Sequence, residues 1–290
     1  MALYELIEQP DLENPVLVLA LDGWIDAGLA AAGTAEVLTE RLDTITVARF
    51  STDELLDYRA RRPIAHLDNG VLRGMTWPEL ELRAAADEAG NEMLMLVGAE
   101  PDRLWHAFTD EVVTLALDFG ARMCVGLGAY PFAAPHTRPP RVACTASTPR
   151  LAEGTFLTAS LDFPGGIQAA IEQACDERGI PALGLWAQIP HYVPATMPFP
   201  AGSVALIEGL MLVADLTLPV GELKAQADAT RNRLDELIAQ NSEHLRMLQQ
   251  LEAAWDRSEP AEQPISISDL PTGDELVAEL EQFLRDQRPD

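Results

Sequence analysis

The sequence predicts an α/β fold: a central mixed, largely parallel sheet sandwiched by helices, followed by a long-helix extension at the C-terminal end. Three observations carry that prediction. Between residues 16 and 218, short β-rich apolar runs alternate with amphipathic helical stretches, the pattern of a sheet covered on both faces. The runs "VLVLAL" and "EMLMLVGA" are apolar at every position or nearly so, as strands buried on both faces are. From Val220 to Trp255 the chain then loses all proline and carries apolar residues at three-and-four spacing.

Taken in order, Val16–Leu21 is the first buried strand, and "AGLAAAGTAEVLTERL" (Ala27–Leu42) is the helix after it, with Asp26 placed to cap its first turn. Thr44–Phe50 is the second strand. Ile64–Met75 has Asn69-Gly70 at its centre, the dipeptide that favours a type I′ turn and therefore a hairpin. Glu92–Ala99 is a buried strand leading into a helix over roughly residues 102 to 119. Two further strands, Arg122–Tyr130 and Arg141–Ser147, flank "PFAAPHTRPPR"; Phe163–Ile180 is a glycine-rich entry into a helix that Gly179 terminates. Ala182–Ile189 is the strand that delivers "PHYVP", and a helix over roughly residues 200 to 216 completes an α/β unit spanning 1–218.

Residues 219–256 then read as one long helix of coiled-coil type. Ala227, Leu234, Asn241, Leu248 and Trp255 are seven-residue neighbours, with Leu223, Leu237 and Leu251 on the companion seam. Asn241 would fix register there; the alternative is a helical hairpin packed on the body. Residues 257–290 are an acidic, proline-bearing linker followed by a short amphipathic helix, "ELVAELEQFLRDQ".

Composition excludes several functions. The net charge is −26, with 20 basic against 46 acidic residues and Lys224 as the single lysine, so no basic patch exists to release counterions from nucleic acid. Anionic membrane surfaces are disfavoured for the same reason, and no apolar run approaches the roughly 20 residues that span a bilayer. Cys124, Cys144 and Cys175 stand far apart in apolar settings, which predicts buried free thiols in a reducing cytoplasm. The start of the chain lacks a signal-peptide pattern, so the expected location is cytoplasmic.

Chemistry, if present, belongs to two Pro-His loops. His136 follows Pro135 and His191 follows Pro190, each after a predicted strand, where open α/β sheets bind ligands. With Asp22, Trp24, Glu100, Arg138 and Tyr192 also at strand ends, these residues line a candidate cleft, in which Arg138 is the natural anion clamp. Against catalysis, the chain has no GxSxG elbow, no thiol in an exposed turn and no close-spaced metal ligands. No catalytic residue, metal or cofactor is therefore assigned, and rigid loops that only shape a surface remain the competing reading. The first βα turn, "LDGWIDAG", carries two carboxylates that repel phosphate.

Several collinear segments resemble the PAC2 family, which includes the eukaryotic proteasome assembly chaperone 2 and archaeal and actinobacterial relatives. They are "LVLALDGWIDAGLAAAGTAEVL", "DYRARRP", "EPDRLWHAFTDEVVTLALDFG", "LGAYPFAAPHTRPPRVACTAS" and "DFPGGIQAAIEQACDERGIPALGLWAQIPHYV", within a likeness over roughly residues 3 to 255. The resemblance implies a phosphorylase/hydrolase-like fold and a self-associating, non-catalytic protein, with fold analogy favouring a trimer. It also implies proteasome subunits as partners. The likeness is closest to the actinobacterial branch. One departure stands out: the chain ends "DQRPD", with Pro289 where proteasome-binding tails carry tyrosine. The implied contact would use another surface. The same fold analogy leaves open the alternative of a nucleoside- or phosphate-binding cleft.

Overall fold

The computed structural model describes residues 2–23, 25–152, 160, 162–194 and 196–257. In chain order these form β1 (Tyr4–Leu6), β2 (Val16–Asp22), a 3-10 turn (Ala27–Leu29), α1 (Ala30–Arg41), β3 (Ile45–Phe50), α2 (Thr52–Leu55), β4 (Ile64–Asp68) and β5 (Val71–Thr76). Next come β6 (Leu80–Ala86), β7 (Glu92–Ala99), α3 (Trp105–Asp118), β8 (Met123–Phe132), β9 (Val142–Ala146), α4 (Pro149–Ala152) and α5 (Ile167–Glu177). The described chain finishes with β10 (Ala182–Pro190), α6 (Pro200–Ala214), α7 (Gly221–Ala239) and α8 (Ser242–Arg257).

Eight strands form one mixed sheet in the order β1-β3-β6-β7-β2-β8-β10-β9. Its centre is parallel, since β7, β2, β8 and β10 pair in one direction, while β6, β3 and β1 on one side and β9 on the other pair antiparallel. The unbroken apolar run of β2 follows from its position. Leu17, Leu19 and Leu21 point into a core shared with α3 and α5, whereas Val16, Val18 and Ala20 point into one shared with α1, α6 and α7. Asp26 caps as expected, its carboxylate accepting the backbone N–H groups of Ala31 and Ala32 at 2.9 Å each.

β6 was not foreseen. "LELRAAA" is built from helix formers, yet it lies between β3 and β7 with Leu80, Leu82 and Ala84 buried, so tertiary placement overrides local propensity. Gly98 permits this close entry. Its φ is +112°, and a Cβ there would stand 2.1 Å from the Glu79 carbonyl oxygen.

The single long helix expected over Val220–Trp255 does not form. α7 ends at Ala239 and α8 begins at Ser242, the two-helix alternative. Asn241 is the reason. It lies exposed at the break, where its side-chain oxygen accepts the Glu243 N–H at 2.8 Å and its carbonyl accepts that of Leu245 at 3.0 Å. It therefore caps α8 instead of setting a coiled-coil register. The seam also differs: Leu234 and Ile238 are buried on α7 while Leu237 points outward, and on α8 Leu248 and Trp255 are buried with Leu251 half-buried. The short helix expected near the C-terminal end lies outside the described residues.

Candidate functional site

The parallel register of β8 and β10 sets Pro190 beside Phe132, so the two Pro-His loops leave the sheet side by side. His191 is tied to the first loop, donating its backbone N–H to the Phe132 carbonyl at 2.9 Å, with Nδ1 at 3.3 Å from the same oxygen. Tyr192 bridges the loops. Its hydroxyl accepts the His136 backbone N–H at 2.7 Å and bonds His136 Nδ1 at 2.8 Å. The Asp235 carboxylate can only accept, so His136 Nε2 is the donor to its Oδ1 at 3.1 Å, and Nδ1 of the neutral ring accepts the Tyr192 hydroxyl proton.

The His136 side chain is fully buried in this arrangement. Burial lowers its pKa below the ordinary value and outweighs the opposing pull of Asp235. Burial likewise pushes the Tyr192 phenol far up. Both ring nitrogens of His136 are thus committed.

Asp235 belongs to α7, and the next residues of the loop hold α8. Thr137 Oγ1 donates to Glu252 Oε1 at 2.6 Å. Arg138 grips Asp256 with two bonds, Nε at 2.9 Å and Nη2 at 2.8 Å, and reaches Glu252 with Nη1 at 3.3 Å. Arg141 lies over the Trp255 ring, 4.0 Å from its centroid, and donates to the Trp255 carbonyl at 3.0 Å. The fork that would clamp a bound anion is occupied by the protein's own carboxylates. Together these residues make the first Pro-His loop a socket for the two C-terminal helices.

Asp22 and Glu100 lie elsewhere, at the adjoining ends of β2 and β7, where α1 and α3 depart to opposite faces of the sheet. Glu100 is buried, and its Oε1 accepts the Ile167 N–H at 2.7 Å at the start of α5. Its own backbone N–H donates to the Asp22 carbonyl at 3.2 Å. The Asp22 carboxylate is largely exposed and lies 3.9 Å from Arg61. Trp24 falls outside the described residues. Among the described residues no bond joins this pair to the histidine group, so the candidate residues divide into two places.

Sequence reasoning missed the acidic partners Asp235, Glu252 and Asp256, which approach from about a hundred residues away. It also missed Glu172. That side chain is half-buried on α5, its carboxylate held by Gln168 at 2.9 Å and Thr145 at 3.2 Å, and desolvation raises its pKa to about 7. Gly126 and Gly184 make the room, since a Cβ on either would stand 2.2 Å from Gln168 and 2.6 Å from the Glu172 carboxylate, respectively. The three cysteines are buried, with Cys144 pushed up to about 11 and Cys124 raised by its neighbour Cys175 and by burial. Neither thiol is a ready nucleophile. Among the described residues no group of three His, Cys, Asp or Glu side chains is arranged to hold a metal, and no helix is long and apolar enough to cross a membrane.

Residues 20–238 match the PAC2 family. The chain is a PAC2 family protein. A Corynebacterium glutamicum protein of unknown function is 33% identical and superposes with a TM-score of 0.83, covering 88% of this chain and 97% of its own. A Mycobacterium tuberculosis proteasome-assembly chaperone homologue is 30% identical with a TM-score of 0.73, covering 80% and 99%. The fold of this PAC2 protein extends further, to an archaeal proteasome activator from Pyrococcus furiosus at 16% identity and a TM-score of 0.62, covering 81% and 97%. No curated protein matches the sequence.

Proposed function

We propose that this PAC2 protein acts through protein–protein contacts, as a self-associating chaperone or adaptor in proteasome assembly, with no catalytic chemistry of its own. The observation that carries the reading is the occupied socket. The residues best suited to acid-base or anion-binding work, His136 and Arg138, are spent holding α7 and α8. For the rival reading, a nucleoside- or phosphate-binding cleft, Arg138 would first have to release both Asp256 and Glu252. Family membership adds support, because a relative of 30% identity is a proteasome-assembly chaperone homologue.

The test is affinity purification of the full chain from its native cells at mild salt, with mass spectrometry of the bound proteins and light scattering of the eluate. Stoichiometric recovery of proteasome subunits supports the assembly role. Recovery without them, together with thermal stabilisation by nucleosides or phosphate, reverses the reading in favour of the cleft.

A further inference from the structure

α8 is attached to the body through few side chains. Of its 16 residues, Leu248 and Trp255 alone are buried. Among the described residues its polar attachments to the body run to one short stretch of loop, with Thr137 on Glu252, Arg138 on Asp256 and Glu252, and Arg141 on Trp255. Gln240 and Asn241 are all that join it to α7. Gln240 keeps helical angles, φ −76° and ψ −14°, so the chain turns at Asn241. No proline or glycine lies between Glu222 and Arg257 to enforce that turn.

A docked element on a short hinge is the arrangement from which identical chains exchange parts. The occupant of the socket is already known: a second copy carries the same Glu252, Trp255 and Asp256, and what fits the socket in one copy fits it in another. Contacts inside the socket are therefore equal in the closed and exchanged forms. The balance between them falls to the hinge and to what exchange newly brings together.

Two observations at the hinge favour exchange. Leu237 is 54% and Leu245 37% exposed, one on each side of the turn, so the closed form leaves both uncovered. With α7 running straight into α8, Leu237, Asn241 and Leu245 fall four residues apart on one helix face. A reciprocal exchange sets the two hinges side by side about the two-fold axis, and this face then covers its own copy in an isologous contact. Straightening also gives the N–H groups of Ser242 and His244, which the turn leaves outside the α-helical ladder, the carbonyls of Ile238 and Gln240 as partners.

We infer that α8 is an exchangeable element: the pair α7–α8 opens at Asn241, and α8 of one copy seats in the Thr137–Arg141 socket of a second copy of this chain. The inference rests on the self-associating part of the proposed function and names the element responsible. The first test compares the full chain with Ser242→Pro and with Leu237→Glu/Leu245→Glu, by light scattering during gel filtration at tens of micromolar. Proline is accepted at the first residue of α8 but bars a helix from running through it, and both leucines contact solvent in the closed form. Each variant should therefore keep the circular dichroism and melting temperature of a folded closed chain. The wild type should elute at a multiple of 31.6 kDa, and both variants should move toward 31.6 kDa.

A second measurement reads the seat itself. Arg138→Ala/Arg141→Ala has an intact α8 without its own socket, and Trp255→Ala/Asp256→Ala has an intact socket without its own α8. The two α8 peptides differ in mass, so hydrogen exchange follows the intact one alone in a mixture. Its exchange should be fast in the first variant by itself and slow by roughly tenfold or more when the second is added in excess. An assembled wild type whose Ser242→Pro variant keeps its mass overturns the exchange while leaving self-association standing. Equally fast exchange of the intact α8 with and without the second variant overturns the seat. Dissociation of Ser242→Pro beside an unaffected Leu237→Glu/Leu245→Glu overturns the leucine contact at the hinge. A monomeric wild type overturns both the exchange and the self-association on which it rests.

Discussion

Truncating Trp255 to alanine should release α8 from the body without unfolding the sheet. The indole is 8% exposed, stacks on Arg141 and closes the end of the socket. Replacing a buried tryptophan by alanine costs about 3–5 kcal/mol, cavity and transfer included. Because the ring sits at the rim of a docked helix, where solvent can fill the gap, the lower end applies, about 3 kcal/mol. α8 has 16 residues, and a helix of that length is marginal in water without packing. Its attachment depends on Leu248, Trp255 and the bonds from Thr137 and Arg138. A loss of about 3 kcal/mol multiplies the open population by roughly 150. Hydrogen exchange read by mass spectrometry should therefore show Ser242–Arg257 exchanging about a hundredfold faster, while β2, β8 and β10 keep their protection. Trp255→Phe should restore most of it. Unchanged protection of α8 refutes the socket as its anchor; equal loss across the sheet refutes the independence of the docked helix.

Glu172 holds its proton in the native state up to pH about 7, well above the unfolded carboxyl, so the native state loses stability as pH rises from about 4.5 to 7. Glu172→Gln removes that loss: denaturant titrations should find no advantage over wild type near pH 4.5 and about 2–3 kcal/mol at pH 8. His136 acts in the opposite sense. Its folded pKa lies below its unfolded value, so the stability it contributes is complete above about pH 6.5 and is lost as pH falls through the folded value. His136→Gln should show a smaller drop in melting temperature between pH 7 and 5 than wild type. Gly98→Ala combines a positive φ with a Cβ 2.1 Å from a carbonyl oxygen, and should destabilise by about 3 kcal/mol or more in chemical denaturation.

What the sequence discloses follows from how local each cause is. β2 is legible because it is buried on both faces, so every side chain from Val16 to Leu21 must be apolar. The hairpin is legible because Asn69 and Gly70 alone decide the turn. β6 is not, since "LELRAAA" becomes a strand only through its neighbours β3 and β7. The sequence leaves one long helix and a helical hairpin both open over Val220–Trp255, because Asn241 suits a seven-residue seam as well as a cap and spacing alone does not choose. His136, Arg138 and Tyr192 stand out in sequence by residue type and place. What occupies them does not: Asp235, Glu252 and Asp256 read as ordinary solvent-facing acids until the fold brings them to the loop.

The most direct test of a role in contacts between chains is to mix the purified full-length protein with purified proteasome α-subunits of the same organism. Native mass spectrometry would then follow complex formation and the rate of α-subunit assembly. The account expects a stoichiometric complex and faster assembly, both retained in His136→Gln. Absence of a complex at tens of micromolar, with assembly unaffected, would contradict it.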